Sequence, residues 1–326
     1  MKILHLEHTK YPAGAISKLQ AAHNITNADC NSQEELYAML SASQYEAIFT
    51  RLGVMIDSQA INLQPKLKYI ITSTTGLNHI DTDACEERNV RVVSLKGEAE
   101  FLAAVKSTAE HTWSLLLALI RNIPAAHASV TDGHWDRIPF LADELDTKTL
   151  GIIGYGRLGK IVARYGVAFG MNVLAYDHDA TKITDQADVS AVNLDTLLAE
   201  SDFVVLLISF SKENEKFMDA AKFNKMKHGA YFINTSRGEM VDENALLKAL
   251  QSKKIKGAAL DVLNDDSGWC GEVQGSNELL NYARQHQNLL LTPHMGGYGK
   301  DSIARTREFV TNKFLTLVSN ETNTNS

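Results

Sequence analysis

The sequence predicts an α/β protein built from two doubly wound parallel-sheet domains, and three observations carry that prediction. Its 326 residues suit two domains of ordinary size, each able to bury its own core. Short apolar runs alternate with helical stretches from end to end, as parallel strands joined by crossover helices require. Finally, Gly154-Tyr155-Gly156-Arg157-Leu158-Gly159 follows the apolar run Thr149-Leu150-Gly151-Ile152-Ile153, which sets a glycine-rich turn between a strand and a helix.

Taken in order, the first half offers Ile3-Leu6, Ala47-Thr50, Tyr69-Ser73 and Arg91-Ser94 as strands. The second offers Gly151-Ile153, Val173-Tyr176, Phe203-Ile208, Ala230-Asn234, Gly257-Val262 and Asn288-Thr292, the six strands of a complete dinucleotide-binding sheet. Asp195 and Asp242 each precede a helical run and read as N-caps. Between the two halves one long helix is expected from about Glu98 to Arg121, closed by Pro124. Leu102, Val105, Ala109, Trp113, Leu116 and Ile120 make an apolar stripe at spacings of 3 and 4. Leu115, Leu117, Ala118 and Leu119 add apolar surface on other faces, so the helix is either a subunit interface or wholly buried in one subunit. The tail Ser319-Ser326, almost all Asn, Thr and Ser, reads as disordered.

Composition narrows the function classes. The chain is 44% apolar and 22% charged with a net charge of −7, which fits a globular protein and disfavours nucleic-acid or acidic-membrane partners. No apolar run is long enough to cross a bilayer, and the N-terminus runs straight into a strand, so a cytoplasmic location is expected. Cys30, Cys85 and Cys270 have no metal-ligand spacing and read as thiols in a reducing compartment; no metal is expected.

The glycine turn meets three demands of dinucleotide binding at once. Its glycines allow the tight turn, the approach of a pyrophosphate and the packing of helix on strand. The helix starting near Leu158 would aim its free amides at the phosphates. Asp177 ends the run Met171-Tyr176, 18 residues past Gly159, where a carboxylate accepts hydrogen bonds from the adenosine ribose. A carboxylate there repels a 2′-phosphate and no Arg or Lys follows until Lys182, which favours NAD over NADP.

Three further strand ends carry chemistry. Arg237 follows Phe232-Asn234 and precedes Gly238, and its planar fork suits a carboxylate, although a lone arginine there could equally be a structural ion-pair former. Asp261 to Asp266 is a carboxylate cluster after a second strand. His294 lies between Pro293 and the glycines Gly296-Gly297, on a defined turn with room for a ligand. Together, arginine, carboxylate and histidine form a usable redox site: substrate anchor, tautomer-fixing partner and proton donor-acceptor.

With these motifs in order, GxGxxG at Gly154, NxxRG at Asn234-Gly238, ALDV at Ala259-Val262 and PHxGG at Pro293-Gly297, the chain resembles the D-isomer-specific 2-hydroxyacid dehydrogenases over about Gln44 to Lys313. The resemblance implies two Rossmann-like domains with the active site in the cleft between them. Residues 1–97 plus 298–326 would form a flavodoxin-like substrate domain, 98–297 the NAD-binding domain, and the long helix 98–121 would make a homodimer. Carried over residue by residue, Arg237 would bind the substrate carboxylate and His294 would exchange a proton with the substrate oxygen. Thr74, Thr75 and Gly76 would grip the carboxylate through backbone amides. Thr108, Thr112, Thr235 and Asp261 would lie near the nicotinamide, Ile208 and Ser209 would flank the adenosine, and Tyr155, Arg157, Leu158, Ser236 and Gly296 are further cofactor-binding candidates. The stretch Glu98-Arg137 resembles members named phosphoglycerate dehydrogenases, and no further domain is expected past residue 313.

Two departures from the family pattern stand out. Asp266 occupies the position where the family carries the glutamate partner of its histidine; the longer stretch Ser267-Gln287 offers Glu272 as the alternative. Tyr298-Gly299 replaces small residues after the histidine turn, so Tyr298 either narrows the pocket or covers a hinge, while Trp269 and Cys270 read as anchors of the extended loop. Arg51, and less strongly Lys96, could pair a second anionic group of the substrate or be ordinary surface residues. The expected reaction is hydride transfer between NAD and C2 of a D-2-hydroxyacid. A non-catalytic NAD-responsive corepressor-like scaffold and a formate or phosphite dehydrogenase of the same fold are the rivals.

Overall fold

In the computed structural model, which describes residues 1–183, 188–269, 271–273 and 275–324, two parallel sheets form. The first contains β1 (Lys2–His5), β2 (Asn24–Asn27), β3 (Ala47–Phe49), β4 (Tyr69–Ile71) and β5 (Arg91–Val93), in the order β2-β1-β3-β4-β5. The second contains β6 (Thr149–Ile153), β7 (Asn172–Tyr176), β8 (Val189–Ala191), β9 (Phe203–Leu206), β10 (Ala230–Asn234), β11 (Ile255–Leu260) and β12 (Leu289–Leu291), in the order β12-β11-β10-β9-β6-β7-β8. Every pairing in both sheets is parallel. Each sheet is therefore doubly wound, reversing direction at β1/β3 and at β6/β9.

The central strands are buried on both faces, which is why they read as continuous apolar runs rather than alternating ones: every residue of β3, β4, β9 and β10 is buried. The two strands with no such signal, β2 and β8, are sheet edges whose residues are half-buried or exposed. Among the described residues the second sheet consequently has seven strands, one more than expected.

The chain divides into two compact units. One comprises Met1–Ala104, Asp265–Gln274 and Gly299–Ser326, the other Val105–Asn264 and Gly275–Tyr298. Set beside the expected division, the first crossing falls between 104 and 105, and the segment 265–274 groups with the first unit. In the first unit, Leu4, Leu36, Leu40, Ile48 and Ile70 share one buried core. In the second, Trp113, Leu116, Leu150, Ile152, Val205 and Ile233 share another, each such side chain contributing about 1.5–3 kcal/mol on full burial.

Three expectations are corrected. The long helix is two, Ala99–Ala103 and Ser107–Ile120. The carbonyls freed at the break are taken by side chains: Ala104 O accepts from Arg305 Nη1 at 3.2 Å and Val105 O from Arg157 Nη1 at 2.7 Å. The apolar faces of Ser107–Ile120, including Leu115, Leu116 and Leu119, are covered within the second unit. Asp195 does not cap its helix; Asn193 does, accepting from Thr196 N at 2.9 Å, with Asp195 in the first turn. Asp242 caps as expected, accepting from Ala245 N at 3.0 Å. The expected tail is helical as far as Thr324, the end of the helix Lys300–Thr324, and its last two positions lie outside the described residues. Glu321 holds it there, accepting from Arg91 Nη1 at 2.6 Å and from the Tyr69 hydroxyl. Cys30 and Cys85 are buried thiols, and Cys270 lies outside the described residues. No helix among the described residues is long and apolar enough to cross a membrane.

Candidate active site

The glycine turn sits at the carboxyl end of β6, beside the β6/β9 reversal, where doubly wound sheets bind ligands. Gly154 has φ +100°, and a Cβ there would lie 2.8 Å from Ile208 N. At Gly159 a Cβ would meet Gly154 O at 2.2 Å, so the helix Arg157–Ala168 can pack on its strand only without a side chain. Gly156, which caps that helix, has nothing within 4 Å of its would-be Cβ. Two glycines close the turn and the third leaves it open, a cradle at a helix N-terminus that fits a dinucleotide pyrophosphate.

Asp177 follows β7 and is buried. Its carboxylate accepts from Tyr155 N at 2.9 Å, from Asp179 N at 3.0 Å and from Lys182 Nζ at 2.9 Å, with His178 Nδ1 at 3.1 Å. Burial opposes its ionisation, but these donors outweigh burial and hold the carboxyl below its usual range. Lys182 reaches back because the 3-10 turn Ala180–Ile183 folds over the strand end.

Arg237, Asp261 and His294 follow β10, β11 and β12, three adjacent strands. Asn234 shapes the arginine turn: its Oδ1 accepts from Ser236 N at 2.9 Å and Ser236 Oγ at 2.6 Å, while its Nδ2 donates to Arg237 O at 2.9 Å. Arg237 Nη1 donates to Ser236 O at 2.6 Å. Gly238 is obligatory, since a Cβ would lie 2.0 Å from the carbonyl carbon of Leu263.

Asp261 is only 1% exposed and organises the histidine turn. His294 N donates to Asp261 O at 2.8 Å, Met295 N to Oδ1 at 2.9 Å and Gly296 N to Oδ2 at 2.7 Å. Thr292 Oγ1 adds a bond to Oδ1 at 2.6 Å, and His111 Nε2 lies 3.1 Å from the same oxygen. Burial opposes ionisation of Asp261, but the bonds from His111, Thr292 and Met295 hold it below the ordinary carboxylate range. Inside this turn His294 takes φ +51°, a left-handed conformation that costs a non-glycine residue about 1–3 kcal/mol and persists only when its surroundings impose it.

The other expected residues are placed as follows. Thr112 Oγ1 bonds Thr235 Oγ1 and the Thr108 carbonyl, both at 2.7 Å, so these three threonines are brought together. Leu158 packs against the core, Ile208 is half-buried and Ser209 is exposed. Arg157 directs Nη1 to Val105 O rather than to the glycine turn. In the first unit, Thr74 Oγ1 donates to Gly76 O at 2.7 Å and pairs with Thr72 Oγ1 at 2.9 Å; Thr75 and Lys96 are exposed. Arg51 donates to Leu52 O and Cys30 O at 2.9 and 2.8 Å, so its fork holds local backbone. Asp266 opens the 3-10 turn Asp266–Gly268 in the first unit, with half-buried Trp269 donating its amide to Asp266 O at 3.0 Å; Glu272 is exposed. Tyr298 is exposed where the chain passes from one unit to the other. His111 was not anticipated, although it lies on the same helix face as Thr108, three positions before it.

Residues 113–296 match the family profile described as D-isomer specific 2-hydroxyacid dehydrogenase, NAD binding domain. The chain is 37% identical over 272 residues to D-3-phosphoglycerate dehydrogenase of Archaeoglobus fulgidus, covering 83% of this chain and 49% of that protein. It thus spans about half the length of the first curated relatives it matches. Among solved structures it resembles D-lactate dehydrogenase of Aquifex aeolicus complexed with NAD and lactic acid, with TM-score 0.79, 28% identity and coverage of 99% and 97% of the two chains. It also resembles NAD-dependent formate dehydrogenase of Staphylococcus aureus in complex with NAD, with TM-score 0.82, 25% identity and coverage of 98% and 96%.

Proposed function

The chain belongs to the D-isomer-specific 2-hydroxyacid dehydrogenase family, and on that premise we propose that it interconverts a D-2-hydroxyacid and its 2-oxoacid with NAD. One observation carries the reading: Arg237, Asp261 and His294 stand at the carboxyl ends of three adjacent strands in the same sheet as the glycine cradle. Bound NADH supplies a hydride from nicotinamide C4. Arg237 takes the substrate carboxylate in its fork and polarises the keto oxygen. His294 donates a proton to that oxygen as C2 is reduced, and recovers it in the oxidation. Asp266, with Glu272 as the alternative, is the acidic partner assigned to the histidine. Thr74, Thr75 and Gly76 supply backbone donors to the carboxylate. The substrate unit is the one containing β1–β5, and the cofactor unit the one containing β6–β12.

A homodimer is also proposed, with its surface moved from the helix Ser107–Ile120 to the segment after it. There Ile123, Val130, Trp135, Ile138 and Leu141 are exposed apolar side chains, whereas the helix is covered within its own unit.

The test is loss of reduced-nicotinamide absorbance with glyoxylate, pyruvate, hydroxypyruvate, phosphohydroxypyruvate, oxaloacetate and branched and aromatic oxoacids, using NADH and NADPH in parallel. Turnover of at least one oxoacid with NADH is expected and names the substrate class. A folded protein that binds NADH and reduces none of them is a scaffold instead. The likeness to formate dehydrogenase supports a second reading, which NAD reduction by formate in place of oxoacid turnover would establish.

A further inference from the structure

We propose that His111 is a positioning residue that acts through Asp261 to hold the turn carrying His294. The proposal rests on the reading of His294 as the proton donor. Three consecutive amides end on Asp261, that of His294 on its backbone carbonyl and those of Met295 and Gly296 on the two oxygens of its carboxylate, so where the carboxylate sits sets the course of the turn just past His294. What fixes the carboxylate comes from its own chain neighbours and from one helix. Thr292 Oγ1 donates to Oδ1 at 2.6 Å, and His111 Nε2 lies 3.1 Å from Oδ1 and 3.0 Å from Thr292 Oγ1.

The chemistry assigns the protons. An ionised carboxylate only accepts, and the Thr292 hydroxyl hydrogen is committed to it, so both groups need a donor from His111. Nε2–H is therefore the proton-bearing nitrogen, shared between Asp261 Oδ1 and Thr292 Oγ1. His111 is mostly buried, with 13% of its side chain exposed, and no other ionisable side chain among the described residues forms an ion pair with Asp261. The same helix clamps the far end of the turn, where Ser107 Oγ donates to Gly296 O at 2.8 Å. There is no slack between them: a Cβ on Gly296 would lie 2.9 Å from Asp261 Oδ2 and 3.7 Å from His111 Cδ2. His294 keeps its left-handed φ of +51° because this network leaves it no alternative.

The experiment compares the full-length protein with His111→Phe, which removes the donor, and His111→Gln, whose Nε2–H can replace it. Backbone deuterium exchange is read over residues 293–298, with the segment around Tyr155, whose amide ends on Asp177, as internal control. His111→Phe is expected to raise exchange at 293–298 by about tenfold or more and to lower kcat by roughly 10- to 100-fold, the range set by one hydrogen bond to a buried charge. The Kd for NADH, read by fluorescence, should move less than about threefold, and His111→Gln should restore exchange and kcat to within a similar factor. Should His111→Phe fail to fold, Thr292→Val removes the other side-chain donor and should shift the same readouts in the same direction. Unchanged exchange overturns the proposal, and so does NADH affinity that falls in step with kcat, which would make His111 a cofactor-site residue. If the parent protein reduces no oxoacid, the proposed function fails while the exchange measurement still decides whether His111 holds the turn.

Discussion

Lys182 Nζ stands 2.9 Å from Asp177 Oδ1, closing an ion pair over the strand end that would face the adenosine ribose. Five residues of separation make this lysine look remote in the sequence, yet the 3-10 turn returns it to the carboxylate. Its charge offsets that of Asp177 and softens the repulsion a 2′-phosphate would meet. Removing it, in Lys182→Ala, should sharpen discrimination for NADH over NADPH by about two- to fivefold, a shift of the size expected from one partly exposed ion pair. Fluorescence titration with both cofactors reads this directly. Equal losses for NADH and NADPH would assign Lys182 to structure alone.

His5 should make the first unit acid-labile. Its ring is fully buried, stacked on Phe49 at 4.8 Å and edge-on to Tyr11 at 4.4 Å. Burial first, then the charges of His8 and Arg307, push its pKa down from 6.5 to about 3. Between those values the unfolded chain binds a proton that the folded chain refuses, so stability falls as pH drops through the window. By its lower end the loss from this group is on the order of 5 kcal/mol. Urea unfolding at a series of pH values, compared with His5→Asn, isolates the contribution. The variant should be weaker at neutral pH, where the ring contacts are lost, and its curve should converge on the parent's towards acid. Two parallel curves would remove His5 as the cause.

Much of this architecture is legible in the chain because burial on both faces leaves an unbroken apolar signature. That is how β3, β9 and β10 could be read off directly. Edge strands carry no such signature, and β2, made of Asn-Ile-Thr-Asn, is indistinguishable from a loop until β1 pairs with it. The break at 104–106 was hidden for a different reason: its carbonyls are satisfied by Arg305 and Arg157, partners remote in sequence. At the candidate site, the glycine turn, Arg237 and His294 stand out in the sequence by their spacing. His111 does not, because its meaning comes from Asp261, 150 positions away. A residue whose neighbours matter more than its own pattern stays invisible until the sheet brings them together.

Gly238→Ala should damage the arginine turn more than the fold. The added methyl would lie 2.0 Å from Leu263 C and 2.4 Å from Asn264 N, which are backbone atoms that cannot swing aside. Either the 237–238 segment or the 263–264 segment must shift by about an ångström, a displacement that costs on the order of a hundredfold where positioning matters. The expected result is a fall of that size in kcat/KM for the oxoacid, with NADH affinity largely retained. Gly14→Ala, whose Cβ would meet nothing within 4 Å, serves as the silent control. Full activity in Gly238→Ala would show that Arg237 does not need its present turn.

Trp135→Glu combined with Leu141→Glu should dissociate the homodimer proposed above. Trp135 is 92% exposed and Leu141 89%, and with Ile138 at 80% they put three large apolar side chains into water within seven residues. Scattered single residues of this kind are ordinary on a surface; a run of them needs a partner face. The preceding helix cannot be that face, since Trp113, Leu116 and Leu119 already fill the core of their own unit. In a two-fold dimer each substitution acts twice, and each places a charge against apolar surface at a cost of several kcal/mol per subunit. Sedimentation velocity should therefore move from a dimer of the parent to a monomer of the variant at micromolar concentration, with unchanged secondary structure. A parent that sediments as a monomer, or a variant that remains a dimer, would show that residues 123–141 are not the contact.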